Sequence, residues 1–91
     1  RAIPREMVLH QNFPNPFNPT TNILIELKEN SFVTLEVFNS LGQKVAVLLN
    51  NQLSAGSTNV VFDASSLSTG VYMYRLNANG FILGKKMILI K

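Results

Sequence analysis

The sequence predicts an all-β fold, an Ig-like β-sandwich of about seven antiparallel strands. Three observations predict it. Short runs of apolar and β-branched residues recur roughly every 8–12 residues, each closed by Asn, Ser, Gly or Pro. No segment carries the apolar period of an amphipathic helix, which removes the crossover helices that a parallel sheet needs. Asn79-Gly80, the pair best suited to a type I′ hairpin turn, stands between the last two runs.

The elements follow in order. Arg1–Glu6 begins polar and is expected to be a linker from an upstream domain, leaving residues 7–91 as one folded unit. Met7–Gln11 is a short first strand. In Asn12–Thr21, Pro14, Pro16 and Pro19 fix φ and remove amide donors, so neither a helix nor a central strand runs through it. Asn15 and Asn18 suit Asx turns, and Phe13 and Phe17 are expected to pin the segment to an apolar surface. Such a segment serves equally as a rigid connection or as an ordered recognition element. Ile23–Lys28 alternates, with Ile23, Ile25 and Leu27 on one face and Glu26 and Lys28 on the other. Val33–Phe38 does the same with Val33, Leu35 and Val37 inward, and the two runs are expected to form a hairpin through Asn30-Ser31.

Asn39–Gly42 is a glycine-closed turn leading to a strand over Val45–Leu49. Asn50–Thr58 is polar and expected to be a loop, followed by a short strand at Asn59–Phe62. Asp63–Gly70 is a second polar loop, in which Asp63 suits the capping of nearby amides. Val71–Leu76 has the strongest strand composition in the chain. It continues through the Asn79-Gly80 turn into a return strand over Phe81–Ile90, with Gly84 expected at a bulge or bend.

The 91 residues suffice for one domain and are too few for two. With 46% apolar and 14% charged residues, the composition is globular rather than disordered. No apolar run approaches the roughly 18 residues that span a bilayer. Arg1–His10 lacks the apolar stretch of a signal peptide, so an export peptide is expected to lie upstream. There is no cysteine, which excludes disulfides and thiolate metal ligands, and no tryptophan, which sets the chain apart from antibody-type domains.

The net charge of +3 is unevenly spread: no acidic side chain follows Asp63, whereas Arg75, Lys85, Lys86 and Lys91 do. That excess fits a solvated strand face with gatekeeper lysines, or a basic surface for an anionic partner. Nucleic acid is not the expected partner, since the lysines are few and no nucleic-acid-binding motif accompanies them. An apolar edge strand at the end of the chain favours weak edge-to-edge homodimers, which Lys85, Lys86 and Lys91 oppose.

Catalytic equipment is sparse, and no enzyme activity is expected. His10 has no sequence neighbour to orient it. Glu26 and Glu36 would meet only on the polar face of the expected hairpin, not in a cleft. The serines lie outside any Gly-x-Ser-x-Gly elbow, no phosphate-binding glycine loop is present, and Asp63 is a lone loop acid unsuited to calcium. No metal or cofactor is expected. Tyr72 and Tyr74 share one face, with Arg75 on the other, which keeps a carbohydrate-binding module in view beside a sandwich core.

Four motifs together resemble a known family. Phe13-Pro-Asn-Pro-Phe-Asn-Pro-Thr-Thr21, Phe38-Asn-Ser-Leu-Gly-Gln-Lys-Val45, Leu67-Ser-Thr-Gly-Val-Tyr-Met-Tyr-Arg-Leu76 and Gly84-Lys-Lys-Met-Ile-Leu-Ile-Lys91 are similar, in this order, to the motifs of type A C-terminal sorting domains of the bacterial type IX secretion system. They cover about Leu9 to Lys91. The resemblance implies an Ig-like sandwich of about seven strands that acts as an address. Its cargo, an upstream domain in the same chain, passes through the periplasm. The sorting domain then directs the cargo to the outer-membrane translocon and so to the cell surface or the medium, where a sortase-like peptidase usually removes the domain. Lys91 is then expected to precede a stop codon.

The same resemblance assigns recognition by translocon and peptidase to Gly70, Tyr72, Lys85, Lys86 and Lys91. It gives a structural and recognition role to Asn15, Pro16, Phe17, Leu41 and Gly42. The last two strands would present an accessible edge or face with lysines, Gly70 freeing the turn before its strand and Tyr72 anchoring it. Ser65–Thr69 lacks the extra acids and glycines often found there in relatives, which fits a shortened loop. The rival reading is a stationary Ig-like binding or adhesion module, such as a carbohydrate-binding or flagellar hook-capping domain.

Overall fold

Alternation in the apolar runs decides which side chains are removed from water. Ile23, Ile25, Val33, Leu35 and Val37 are fully buried, and Leu27 is nearly so. In the computed structural model, which describes residues 7–91, the strands are β1 (Met7–Leu9), β2 (Thr20–Leu27), β3 (Ser31–Phe38), β4 (Lys44–Leu53), β5 (Gly56–Asp63), β6 (Gly70–Ala78) and β7 (Phe81–Leu89). They form a three-stranded sheet in the order β1-β2-β5 and a four-stranded sheet in the order β4-β3-β6-β7, every pair antiparallel. The fold is the expected all-β sandwich. The linker expected over Arg1–Glu6 lies outside the described residues.

Between the sheets, Ile23, Ile25 and Phe62 meet Val33, Leu35, Tyr74, Leu76, Met87 and Leu89 in one core cluster. Each such aliphatic side chain contributes about 1.5–3 kcal/mol by leaving water. Tyr72 and Tyr74 belong to this core, at 7% and 0% exposure, so they offer no aromatic platform to a sugar.

The hairpin expected between the second and third runs is absent. Strands β2 and β3 lie in different sheets, and the chain arches between them at residues 28–30. Alternation specifies an inward face but not which strand is the neighbour, and an arch buries the same side chains as a hairpin would. Glu26 and Glu36 therefore stand on outer faces that point apart. Asn30 ties this arch to the next one by accepting the Ala55 N–H through its Oδ1 at 2.9 Å.

The polar stretch Asn50–Thr58 is mostly strand rather than loop, with Ser54-Ala55 the only connection between β4 and β5. Both are edge strands, where polar side chains remain wet on either face and leave no apolar signature. The expected bulge at Gly84 is also absent, since β6 and β7 pair without interruption from Gly70↔Leu89 to Ala78↔Phe81. The irregularities fall instead between β3 and β4, at Leu35/Glu36 and Val37/Phe38. The Asn79-Gly80 turn forms as expected, with φ of 52° and 82°, a left-handed geometry that favours its glycine.

Candidate functional site

Most of the functional residues expected from sequence lie on or against the last strand, while Leu41 and Gly42 lie in the turn between β3 and β4. Three prolines remove amide donors from the proline-rich segment, and side chains supplement the backbone bonds that remain, such as the Phe13 N–H to the Asn22 carbonyl at 2.9 Å. The Asn12 N–H donates to the Tyr74 hydroxyl at 2.8 Å, and that hydroxyl donates to the His10 carbonyl at 2.7 Å. Asn12 Nδ2 reaches Thr21 Oγ1 and the Pro14 carbonyl at 3.0 and 3.1 Å, while Thr21 Oγ1 donates to the same carbonyl at 2.8 Å. Asn12 and Thr21 are buried, and sequence reasoning missed both. The available signal was a polar residue at each end of a segment whose prolines cannot donate. Burial pushes the Tyr74 phenol up to about 12, opposed by its hydrogen bond from Asn12.

The segment then straps onto β7. The Phe17 N–H donates to the Ile88 carbonyl at 2.9 Å, and the Ile90 N–H donates to the Phe17 carbonyl at 3.0 Å. Asn15 Oδ1 accepts the Ile88 N–H at 2.9 Å. Gln11 Nε2 donates to the Lys86 carbonyl at 2.7 Å. The Phe17 side chain is buried against Phe62, ring centroids 6.1 Å apart. Phe13 does not share this role: it is 77% exposed, so of the two expected anchors only Phe17 pins the segment. Pro16 is exposed between Asn15 and Phe17.

Gly70, Tyr72 and Lys91 meet at the same end of the sandwich. Gly70 opens β6 opposite Leu89. Its φ lies outside the left-handed region, so the turn does not need glycine's freedom there, contrary to expectation. Tyr72 is an anchor as expected, donating its hydroxyl to the Ser68 carbonyl at 2.7 Å. Lys91 Nζ donates to the carbonyls of Ser65 and Leu67 at 2.6 and 2.9 Å, and its backbone N–H donates to Thr69 Oγ1 at 3.0 Å. Asp63 Oδ1 caps the Ser65 N–H at 2.9 Å, and the hydrogen bonds from Ser65 hold its carboxyl below the usual range. The loop from Asp63 to Thr69 is thus closed at both ends.

Lys85 and Lys86 are not with Lys91. They project to opposite faces of β7, Lys85 half-buried beside Tyr74 on the core side and Lys86 exposed beside Met73 on the outer side. Leu41 and Gly42 lie in the turn between β3 and β4, at the end where β6 begins. Asn39 Oδ1 organises that turn by accepting the N–H groups of Leu41 and Gln43, each at 2.9 Å. Gly42 takes a φ of 83°, and the Leu41 side chain is 82% exposed.

The acids are placed for structure. Glu36 pairs with Lys44 at 2.9 Å and Arg75 at 3.4 Å, and the Lys44 hydrogen bond above all holds its carboxyl below the usual range. His10, expected to lack an acidic neighbour, pairs with Glu26 through Nε2; the strand pairing of β1 with β2 creates this contact across sixteen positions of sequence. Among the described residues, no three His, Cys, Asp or Glu side chains gather in a metal-binding group. Beyond these contacts, a groove of about 490 Å³ opens on the outer face of the four-stranded sheet beside Gly84.

Against known proteins, residues 11–91 match the secretion system C-terminal sorting domain family. No curated protein matches the chain at a significant level. The match covers every described element except β1 and includes all four motifs.

Proposed function

The chain belongs to the secretion system C-terminal sorting domains, and from that membership we infer how its residues serve the sorting of a protein for type IX secretion. The domain is the sorting signal, and it implies export through the outer membrane to the cell surface or the medium. The match over residues 11–91 is the observation that carries this function.

The finer reading is that a cargo domain upstream in the same chain crosses the periplasm folded, and that this domain docks on the outer-membrane translocon. A surface sortase-like peptidase then separates the two. The domain itself catalyses nothing; sorting domains are non-catalytic in general, and the pairing of Glu36 with two cations supports a structural use of its acid. Recognition falls to the edge that bears Lys85 and Lys86, with Gly70, Tyr72 and Lys91 holding the adjoining loop. Asn15, Pro16 and Phe17 form the strap, and Leu41 and Gly42 form the exposed turn between β3 and β4. Two copies pair only weakly, because self-pairing along β7 brings lysines together.

Single substitutions test this division. Lys85→Ala and Lys86→Ala are expected to keep the melting temperature within a few degrees while reducing export of a fluorescent-protein fusion. Export equal to the unsubstituted domain from both folded variants contradicts the assignment of recognition to this edge.

A further inference from the structure

The outer face of the four-stranded sheet carries an opening that the fold does not require. Val71 and Met73 from β6 and Ile82 from β7 project there at 43%, 50% and 58% exposure, with Phe38 of β3 alongside. They border the groove of about 490 Å³, and Gly84 and Lys86 form its β7 side. Gly84 has no left-handed φ, and a Cβ there would meet only the Tyr74 carbonyl oxygen, at an ordinary 3.5 Å. Any L-residue fits. Glycine inside a strand costs about 0.5–1 kcal/mol relative to alanine, so the sandwich alone would favour a side chain. A strand glycine at neither a bulge nor a bend often marks a place where a ligand or another backbone approaches.

Among the described residues, no strand pairs with the edge beside this glycine. At Ile88 both backbone groups point away from β6 and bond the strap. By strand alternation those of Ile82, Gly84 and Lys86 point the same way. Gln11 takes the Lys86 carbonyl, and the other outward groups of this stretch have no partner among the described residues. Strap and open stretch follow one another along a single strand.

Charge selects the occupant. Neither Lys85 nor Lys86 forms an ion pair among the described residues. A cation on the core side of an edge strand, where Lys85 lies, opposes pairing with any strand that does not bring a carboxylate. A second copy brings only further lysines to this edge, since its β7 has no acid.

We propose that the β7 edge from Ile82 to Lys86 takes up an extended peptide strand, with an apolar side chain seated beside Gly84 and two adjacent carboxylates opposite Lys85 and Lys86. Main-chain hydrogen bonds supply the pairing, while the groove and the lysines supply the selection. The inference rests on the sorting reading only for placing the partner strand in the export machinery.

The test titrates the chain with a short blocked peptide of alternating valine ending in two adjacent glutamates, and with the same peptide carrying lysine for glutamate. Amide NMR shifts are expected at Ile82–Lys86 with the glutamate peptide alone. In Gly84→Val the strand gains a strong β-former and the groove is filled, so the melting temperature holds or rises while affinity falls by about tenfold or more. Equal binding of the lysine peptide, no binding of the glutamate peptide, or full affinity in a folded Gly84→Val chain overturns the proposal. In cells, export of a Gly84→Val fusion at the unsubstituted level removes the groove and leaves the sorting function standing. Failure of the unsubstituted fusion to be exported removes the sorting reading, and the peptide titration still decides the groove.

Discussion

Phe17→Ala should cost the domain far more than Phe13→Ala, although the two rings stand four positions apart in one proline-rich segment. Phe17 is 2% exposed and packs on Phe62, whereas Phe13 is 77% exposed. Emptying a buried phenylalanine site costs about 3–5 kcal/mol, and truncating an exposed one changes stability by about 0.5 kcal/mol or less. A domain of 91 residues has a total stability of roughly 5–14 kcal/mol at the usual 0.05–0.15 kcal/mol per residue. Loss of Phe17 thus removes roughly a fifth of it or more. At about 4–8 °C per kcal/mol for a domain this size, the melting temperature should drop by roughly 12 °C or more. Thermal and urea unfolding followed by circular dichroism measure both variants against the unsubstituted chain. A Phe17→Ala cost below about 1 kcal/mol, or equal costs at the two positions, would refute the claim that the strap closes the sandwich through this ring.

Two further outcomes follow from single contacts. Burial raises the Tyr74 phenol to about 12, above its unfolded value near 10. The folded state then holds its proton longer than the unfolded one, so stability is full below pH 10 and declines as pH rises from there to about 12. Tyr74→Phe should start lower, having lost the hydrogen bonds to Asn12 and His10, but show a shallower alkaline decline; equal slopes in urea denaturation across that range would contradict this. Lys91→Met removes two charge-assisted hydrogen bonds to the Ser65 and Leu67 carbonyls. Because the site is exposed, the global cost should stay near 1 kcal/mol or below, while amide exchange in the loop from Ala64 to Thr69 quickens. Unchanged exchange there would mean that Lys91 does not hold the loop.

Much of this architecture was legible because alternation is a physical demand of a two-layer sandwich. Ile23, Ile25, Val33, Leu35 and Val37 are inward for the reason their spacing gives, and Asn79-Gly80 turns because both residues accept positive φ. Pairing partners were not legible. Nothing local distinguishes a hairpin from an arch, so the sequence suggests one sheet for β2 and β3 where the structure has two. The cores of β4 and β5 are legible as strands, but their polar ends at residues 50–53 and 56–58 read as loop because an edge needs no apolar alternation.

The candidate site was legible as motifs rather than as geometry. Asn15 and Phe17 meet Ile88 and Ile90 across more than seventy positions of sequence, a contact that no local pattern encodes. Lys85, Lys86 and Lys91 are close in sequence yet separate in space, because a strand sends neighbours to opposite faces and Lys91 turns back onto a loop. The His10–Glu26 pair arises only from the pairing of β1 with β2.

The central claim is that these residues address a protein for export by the type IX system. It is tested most directly by fusing Arg1–Lys91 behind a signal peptide and a fluorescent protein in a bacterium with that system, and in a sister strain lacking the outer-membrane translocon. The fluorescence should leave the cell in the first strain and stay in the periplasm of the second. Retention in both strains, or release in both, would contradict it.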